Sequence, residues 1–394
     1  MTQRPATPFG LILLLWAAGL GAAAQYGKVS VIYFLLPDHY PQAGAALAFI
    51  VSIVGFTGIV LGVLAGHLVA RFGYRRSLLW ALWFGAALSL LEALLPPLPV
   101  MLALRLAEGL SHLAIVVAAP TLIAQLSAPR HRGLTLSLWS TFFGVSYTAL
   151  VWLGLPMVAR LGLPSLFVAH GVWMAGAALL VQIRLPALNT ARPSQALSLS
   201  DLPALHMQTY RSPFVAAPGF GWLFYTFCYL ALLTLIPPFI DPSYRAALVG
   251  AIPLVSIVTS MTVGVYLLGR YPAVRVVLAG FALVALALGW LLVAPGGIAP
   301  SLALAVAFGL VQGASFACVP QLNNSAADQA RANGAMAQMG NIGNTVGTPV
   351  LAAAVAGIGY GGMIGTALIV TVLGLLTHAG LDHLRRRTEQ GQRI

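Results

Sequence analysis

The sequence predicts an all-α integral membrane protein, and two observations carry that prediction. Of 394 residues, 59% are hydrophobic and only 7% are Asp, Glu, Lys or Arg. The apolar residues are also gathered into twelve continuous runs, each long enough to cross a bilayer. A soluble domain carries about 25% charged residues, so this chain cannot coat a water-facing surface, and a soluble enzyme is excluded. Disorder needs the opposite composition. A membrane β-barrel needs short segments of alternating polarity, and these runs are unbroken.

A spanning helix takes about 20 residues. The runs fall at 10–36, 44–70, 77–95, 99–126, 134–156, 162–184, 214–240, 245–269, 272–294, 300–322, 335–356 and 360–382. The first opens like a signal peptide, with Arg4, an apolar stretch and Ala22-Ala23-Ala24 before Gln25. It runs on to Leu36, however, and cleavage would leave an odd helix, so it is read as a span. Tyr26, Ser30 and Tyr33 share one face of it. The second carries Gly55, Gly58, Gly62 and Gly66 at a spacing that lets backbones approach closely in lipid. The third has Glu92 near its outer end, and the fourth holds Arg105, Glu108 and His112.

Between the sixth and seventh runs lies the longest polar stretch, 185–213, with Pro186, Pro193, Pro203 and Pro213. It divides the chain into an N-terminal bundle (1–184), a linker (185–213) and a C-terminal bundle with a short tail (214–394). In the second half, Trp222, Tyr225, Thr226 and Tyr229 crowd the seventh run, and Gln312 and Ser315 sit in the tenth. The eleventh places Gly340, Gly343 and Gly347 on one face, with Gln338, Asn341, Asn344, Thr345 and Thr348 turned about 120° away. A helix that packs by one face and is polar on another fits a cavity wall. Cys228 and Cys318 lie in apolar runs with no metal spacing, and both are read as core residues.

The net charge of +12 is explained by topology. With the N-terminus inside, sixteen of the twenty basic residues fall in loops on one side, including Arg71, Arg75, Arg76, Arg130, Arg132, Arg270, Arg275, Arg331 and Arg385–Arg387. Cytoplasmic loops hold this excess, so both termini are expected in the cytoplasm, and nucleic acid need not be invoked. A shift of 200 residues superposes Gly109 on Gly309, Pro120 on Pro320 and Leu36-Pro37 on Ile236-Pro237. Duplicated halves are a mark of secondary transporters, whose substrate site lies near midplane between the repeats.

The loop Gly66-His67-Leu68-Val69-Ala70-Arg71-Phe72-Gly73-Tyr74-Arg75-Arg76 resembles the signature between the second and third helices of the major facilitator superfamily. Arg105-Leu106-Ala107-Glu108-Gly109 is similar to that family's fourth-helix motif. The resemblance covers the whole chain. It implies two pseudo-twofold-related six-helix bundles that give alternating access to a central cavity. It also implies that the glycine faces of the second and eleventh helices meet across the halves. Ala70 stands where the family has an Asp, which puts the charged cytoplasmic latch in doubt, while Gly73 and the basic residues Arg71 and Arg75 remain as gating candidates.

Ionisable groups inside hydrocarbon cost several kcal/mol unless paired or hydrated, so each is a functional candidate. Arg105, Glu108 and His112 fall within about 60° of one another on a helix. A carboxylate there is poised between burial, which favours its neutral form, and the guanidinium, which favours its charged form. The three are therefore proton-coupling candidates, with a permanent Arg105–Glu108 ion pair as the alternative. Lys28 either faces the cavity, where with Arg105 it would hold an anionic or zwitterionic ligand, or pairs with Glu108 or Glu92, or snorkels outward. The remaining substrate-binding candidates are Gln25, Tyr26, Tyr33, Tyr225, Tyr229, Gln312, Asn341 and Asn344.

No P-loop, HExxH, GxSxG or nucleotide-binding GxGxxG occurs. The chain is expected to be a transporter without cofactor or metal, driven by an ion or substrate gradient and acting as a monomer. Proton-coupled export of a small organic solute leads. Uptake by symport or uniport of an organic anion or zwitterion is the alternative, and a non-transporting membrane sensor is a distant third.

Overall fold

The computed structural model describes residues 7–128, 131–186 and 202–391. Arg4, Arg130 and linker residues 187–201 lie outside them. No strand occurs among the described residues. The chain forms two compact units, Met1–Leu197 and Ser198–Ile394, which meet within the predicted linker.

The first unit contains α1 (Phe9–Val31), α2 (Leu47–Ser52), α3 (Val54–Phe72), α4 (Tyr74–Glu92) and α5 (Leu98–Leu126). It continues with α6 (Arg132–Ser140), α7 (Phe142–Ala149), α8 (Leu155–Leu161) and α9 (Pro164–Arg184). The second contains α10 (Leu202–Arg211), α11 (Ala216–Leu235), α12 (Arg245–Thr259), α13 (Ala273–Val293), α14 (Ile298–Leu322), α15 (Ala326–Ile358) and α16 (Tyr360–Gly391). Nine helices among the described residues are long and apolar enough to cross a membrane, or ten if one bent pair counts as a single span. All twelve predicted runs fall on helix. The two outside that count are α4, which opens on Arg75 and Arg76, and α15, whose Asn and Gln residues lower its mean hydropathy.

The eighth predicted span carries a π-helical turn at Ser260–Gly264, and three spans of the first unit are likewise less regular than their composition suggests. The first ends as an α-helix at Val31 and passes into a 3-10 turn at Tyr33–Leu35. Pro37 has no N–H to continue the ladder, and a short helix, Leu36–His39, restarts around it. Tyr33 therefore leaves the helical face expected to hold it beside Tyr26 and Ser30. The second span bends by 55° between Gly44–Ser52 and Val54–Gly62, without a proline. The fifth breaks at Thr141 and contains a π-helical turn at Leu150–Gly154. Pro156 follows that turn, and its ring would clash with the carbonyl four residues earlier in a regular helix.

Inside the first unit, α1 packs on α5, α7 and α9, while α4 packs on α5 and α9, and α3 on α5. Its apolar core interleaves Ile12, Leu15, Ala18 and Ala22 of α1 with Leu78, Ala81 and Leu82 of α4, Ile115 and Leu122 of α5, and Met174 and Val181 of α9. The second unit repeats the plan: α11 packs on α14, α15 and α16, while α13 packs on α14 and α16, and α12 on α14. Large apolar side chains such as Trp80, Leu153, Val172, Ile183, Leu286 and Leu376 are left exposed, as lipid-facing residues must be.

One close packing contact recurs inside each unit. A Cβ on Gly109 would run into the Val54 carbonyl and lie 2.6 Å from Thr57 Oγ1. A Cβ on Gly309 would run into the Ser256 carbonyl and lie 3.0 Å from Ser256 Cα. In each case a hydroxyl of the facing helix donates to a carbonyl just before the glycine, Thr57 to Leu106 O at 3.1 Å and Ser256 to Ala305 O at 2.8 Å. The glycine of the fourth span thus performs the same packing task in both halves, as the 200-residue offset predicts.

The glycine face of α15 is filled from within its own unit. Gly340 lies against the Trp222 ring, Gly343 against Leu223 O and Thr226, and Gly347 against Phe227, all on α11. This corrects the expectation that the face is turned to the other half: the backbone of α11 already occupies the space a Cβ would need. Gly55, Gly58 and Gly62 of α3 are buried, and the surroundings of Gly66 lie outside the described residues. Gly73, between α3 and α4, has φ 89°, a conformation that an L side chain adopts only with strain. Two residues on, Arg75 donates to Leu185 O at 2.8 Å and Gln182 O at 3.0 Å, capping carbonyls that the end of α9 leaves without helical partners. Arg71 is exposed.

The predicted linker also contains structure. Tyr210 of α10 donates to Gln338 Oε1 at 2.6 Å, and His206 Nε2 lies 3.1 Å from Gln338 Nε2. Burial pushes the Tyr210 phenol up to about 12, so it stays a donor at neutral pH. Gln338, expected on a cavity wall, is thereby tied to α10. At the start of α15, Ser325 caps the helix by accepting from the Asp328 amide at 3.0 Å, and the Ser325 hydroxyl and the Arg331 guanidinium hold the Asp328 carboxyl below its usual value.

Close packing at Gly109 makes a prediction. Gly109→Val should cost about 1–3 kcal/mol through overpacking and lower the midpoint of thermal unfolding in detergent. Gly176→Val, where a Cβ meets nothing within 4 Å, should leave it within error of wild type.

Candidate functional site

The charged residues of the first unit's helices converge. Lys28 from α1, Glu92 from the end of α4, and Arg105 and Glu108 from α5 are all completely buried and joined by ion pairs. Lys28 Nζ lies 2.6 Å from Glu92 Oε2 and 2.7 Å from Glu108 Oε1. Arg105 Nη1 pairs with Glu108 Oε2 and lies 3.7 Å from Glu92 Oε1. Two cations and two carboxylates form a neutral group, which is how four charges tolerate removal from water.

Neighbouring helices supply further hydrogen bonds to Lys28, while both Glu92 carboxylate oxygens are held by ionic contacts without a hydrogen bond. Lys28 donates to Ser89 Oγ at 3.0 Å and meets His170 Nδ1 at 3.1 Å. Ser89 Oγ lies 2.9 Å from both Phe167 O, to which it donates, and His170 Nδ1. His170 Nε2 lies 3.0 Å from Gly21 O. A carbonyl only accepts, so Nε2 carries the ring hydrogen and Nδ1 presents its lone pair to Lys28. The Phe167 ring stands 5.4 Å from Nζ.

Arg105 reaches three helices. Its Nε donates to Ile50 O at 2.8 Å and its Nη2 to Gln25 O at 2.5 Å. In an unbroken second span the Ile50 carbonyl would accept from Val54. The 55° bend lies at that point, and a side chain inserted into the ladder is a recognised cause of such a kink. Arg105 therefore fixes the second span's shape as well as the charge of Glu108.

The sequence-derived candidates divide. The structure brings Arg105, Glu108 and Lys28 together, with Gln25 beside them through its carbonyl and an Nε2 donor to Ser111 Oγ at 2.8 Å. His112 shares the helix face of Glu108, but its Nδ1 lies 3.0 Å from Ala22 O and its ring stands edge-on to Tyr26 at 5.0 Å, away from the carboxylates. Tyr33 is half-buried in its 3-10 turn. Of the expected positions for Lys28, the ion-paired one is observed, with both glutamates at once.

The second-half candidates form an aromatic column. Trp222 stacks on Tyr225 at 4.6 Å and Tyr225 on Tyr229 at 5.1 Å, while Phe308 meets both tyrosines edge-on. Tyr225 Oη donates to Gln312 Oε1 at 3.4 Å. By the 200-residue offset Tyr225, Cys228, Phe308 and Gln312 stand where the first unit has Gln25, Lys28, Glu108 and His112. One helix pair thus holds ions in one unit and aromatic rings in the other. Asn341 donates to Ala337 O of its own helix at 2.8 Å, and Asn344 is half-buried.

Sequence reasoning missed Ser89 and His170. His170 carried a signal, being a histidine in the middle of an apolar run, of the kind that marks a function inside a membrane. Ser89 carried none, because serine in a membrane helix most often bonds its own backbone.

Fold and site together define a polytopic membrane protein that shields an ionic network inside one of two similarly built helical units. The model of the Major Facilitator Superfamily matches residues 15–348, and the chain belongs to that family. It is accordingly a multi-pass membrane secondary transporter of a small molecule and not an enzyme. A search of curated proteins gave no match.

The network's balance is testable. Lys28→Met leaves a surplus carboxylate in a dry interior and should cost about 3–5 kcal/mol, read as lost folded yield and a lower unfolding midpoint. Lys28→Met combined with Glu92→Gln restores neutrality and should recover most of that loss.

Proposed function

We propose that this protein is a proton-coupled transporter of a small organic solute, working by alternating access with Glu108 and Arg105 at the centre of coupling. One observation carries the reading: four ionisable side chains, all fully buried, form a neutral network of two cations and two carboxylates. Apolar packing would fill the same space at less cost, so the network's retention is best explained by charge that changes during transport. Proton uptake at a carboxylate turns the network from neutral to +1, and a shift of that size biases which conformation is stable.

Export in exchange for protons is the leading direction. The aromatic column Trp222–Tyr225–Tyr229 supports it by offering apolar ring faces without a fixed charge, suited to an uncharged or weakly basic solute. Symport of an organic anion is the second reading, favoured by a specific feature: once a carboxylate is protonated, Lys28 or Arg105 has a charge to spare. The asymmetric distribution of basic residues supports both termini in the cytoplasm, and the location proposed with it is a bacterial inner membrane. A monomer suffices for this mechanism.

Reconstituted liposomes with an imposed pH gradient and a solute panel test the proposal. Wild type should move at least one solute against its gradient, and Glu108→Gln should lose that uphill movement while retaining downhill flux. Equal uphill transport by both proteins would refute Glu108 as part of the coupling.

A further inference from the structure

We propose that Ser89 and His170 are positioning residues that keep the Lys28 ammonium fully hydrogen-bonded when the Glu92–Glu108 pair takes up a proton. The inference deepens the proton-coupled reading above and rests on it. Lys28 has three N–H donors and no acceptor. Four acceptors surround it: Glu108 Oε1 at 2.7 Å, Ser89 Oγ at 3.0 Å and His170 Nδ1 at 3.1 Å as hydrogen bonds, and Glu92 Oε2 at 2.6 Å as an ionic contact. The site therefore holds one acceptor more than the ammonium can use.

That surplus has a consequence for protonation. When a proton adds to either carboxylate, an O–H bond forms, one negative charge is lost, and nothing is oxidised or reduced. If Glu92 takes it, the three hydrogen bonds of Lys28 are untouched. If Glu108 takes it, Ser89, His170 and Glu92 remain as three acceptors. Either way no N–H of the Lys28 ammonium is orphaned, and an orphaned N–H makes a change of charge state costly in a dry interior. Both helpers are oriented for the task. Ser89 donates its one hydrogen to Phe167 O and His170 gives its Nε2 hydrogen to Gly21 O, so Ser89 Oγ and His170 Nδ1, 2.9 Å apart with no hydrogen of their own between them, are both left as acceptors facing the ammonium.

Among the described residues, the other titratable groups nearby have partners of their own. Arg105 on α5 faces both carboxylates but is itself a donor. His112 is turned to Ala22 O, Tyr26 on α1 packs on His112, Tyr147 on α7 faces Ser30, and Tyr40 gives its hydroxyl to Pro96 O.

A double-mutant cycle on the purified full-length protein tests the role without a substrate. Glu92→Gln and Glu108→Gln stand in for the protonated carboxyls, and thermal unfolding in detergent is measured with and without Ser89→Ala and His170→Ala. In the doubly truncated background each glutamate change should lower the unfolding midpoint by about 3 °C more than in wild type. Additive effects would overturn the proposal. Should the double truncation fail to fold, the single changes serve, with half the excess expected.

Ser89→Thr and His170→Gln keep an acceptor and should restore wild-type behaviour. Between pH 8 and 5.5 the truncated protein should lose stability more steeply than wild type, and His170→Gln should follow wild type. Parallel curves, or a flat curve for His170→Gln that assigns the pH response to the imidazole itself, would also overturn it. Additivity with pH-driven transport intact removes only the positioning role. A non-additive cycle without pH-driven transport removes only the coupling reading.

Discussion

Lys28 held between two carboxylates is the constraint on which the first unit depends. A charge buried in hydrocarbon must find its complement among neighbouring helices, because neither lipid nor a dry core can solvate it. Meeting that demand draws together α1, α4 and α5 through the ions themselves, α9 through His170, and the second span through Arg105 and Ile50 O. Few apolar contacts tie so many elements to one point. The apolar core made by Ile12, Leu82, Leu122 and Met174 supplies area, but its members are interchangeable in a way that the ion network is not.

The second unit shows what the same helix plan does without charge. Its Gly309–Ser256 contact repeats that of Gly109 with Val54 and Thr57, so the backbone positions are held alike. Phe308 then takes the place of Glu108, and Tyr225 that of Gln25. Aromatic stacking is worth about 0.5–1.5 kcal/mol beyond burial and needs no counter-ion, so this column is stabilised without a charged group. A division of labour follows in physical terms: one unit contains the only buried group among the described residues that combines carboxylates with cations, while the other contributes ring faces and hydroxyls.

Much of the fold was legible in the sequence because lipid permits so few solutions. Charge scarcity fixed the class, run lengths located the helices, and Gly109 with Gly309 revealed the repeat. The local departures were harder to read. Pro37 and Pro156 announce themselves, but the bend before Val54 depends on Arg105, fifty residues away, and no local signal shows it. The site was half legible. Arg105 and Glu108 were visible as neighbours on one helix, and Lys28 as a buried charge, whereas their meeting with Ser89 and His170 depends on how α4 and α9 rotate about their axes. The glycines of α15 illustrate the same limit from the packing side: spacing identified a contact face, but only three-dimensional packing named α11 as the partner.

Neutrality of the network and hydrogen bonding of the Lys28 ammonium are separate requirements, and they are met by different means. Equal numbers of cations and carboxylates meet the first, which any gain or loss of a proton upsets by one unit. Spare acceptors meet the second, and they do so in more than one charge state. A buried group that satisfied both requirements in a single state only would be a staple. One that keeps its ammonium paired while its net charge changes can act as a switch, because less of the energy of the change is lost in broken hydrogen bonds. On the role proposed for them, the difference between those two outcomes comes down to two uncharged acceptors, one hydroxyl and one imidazole nitrogen, placed beside an ammonium.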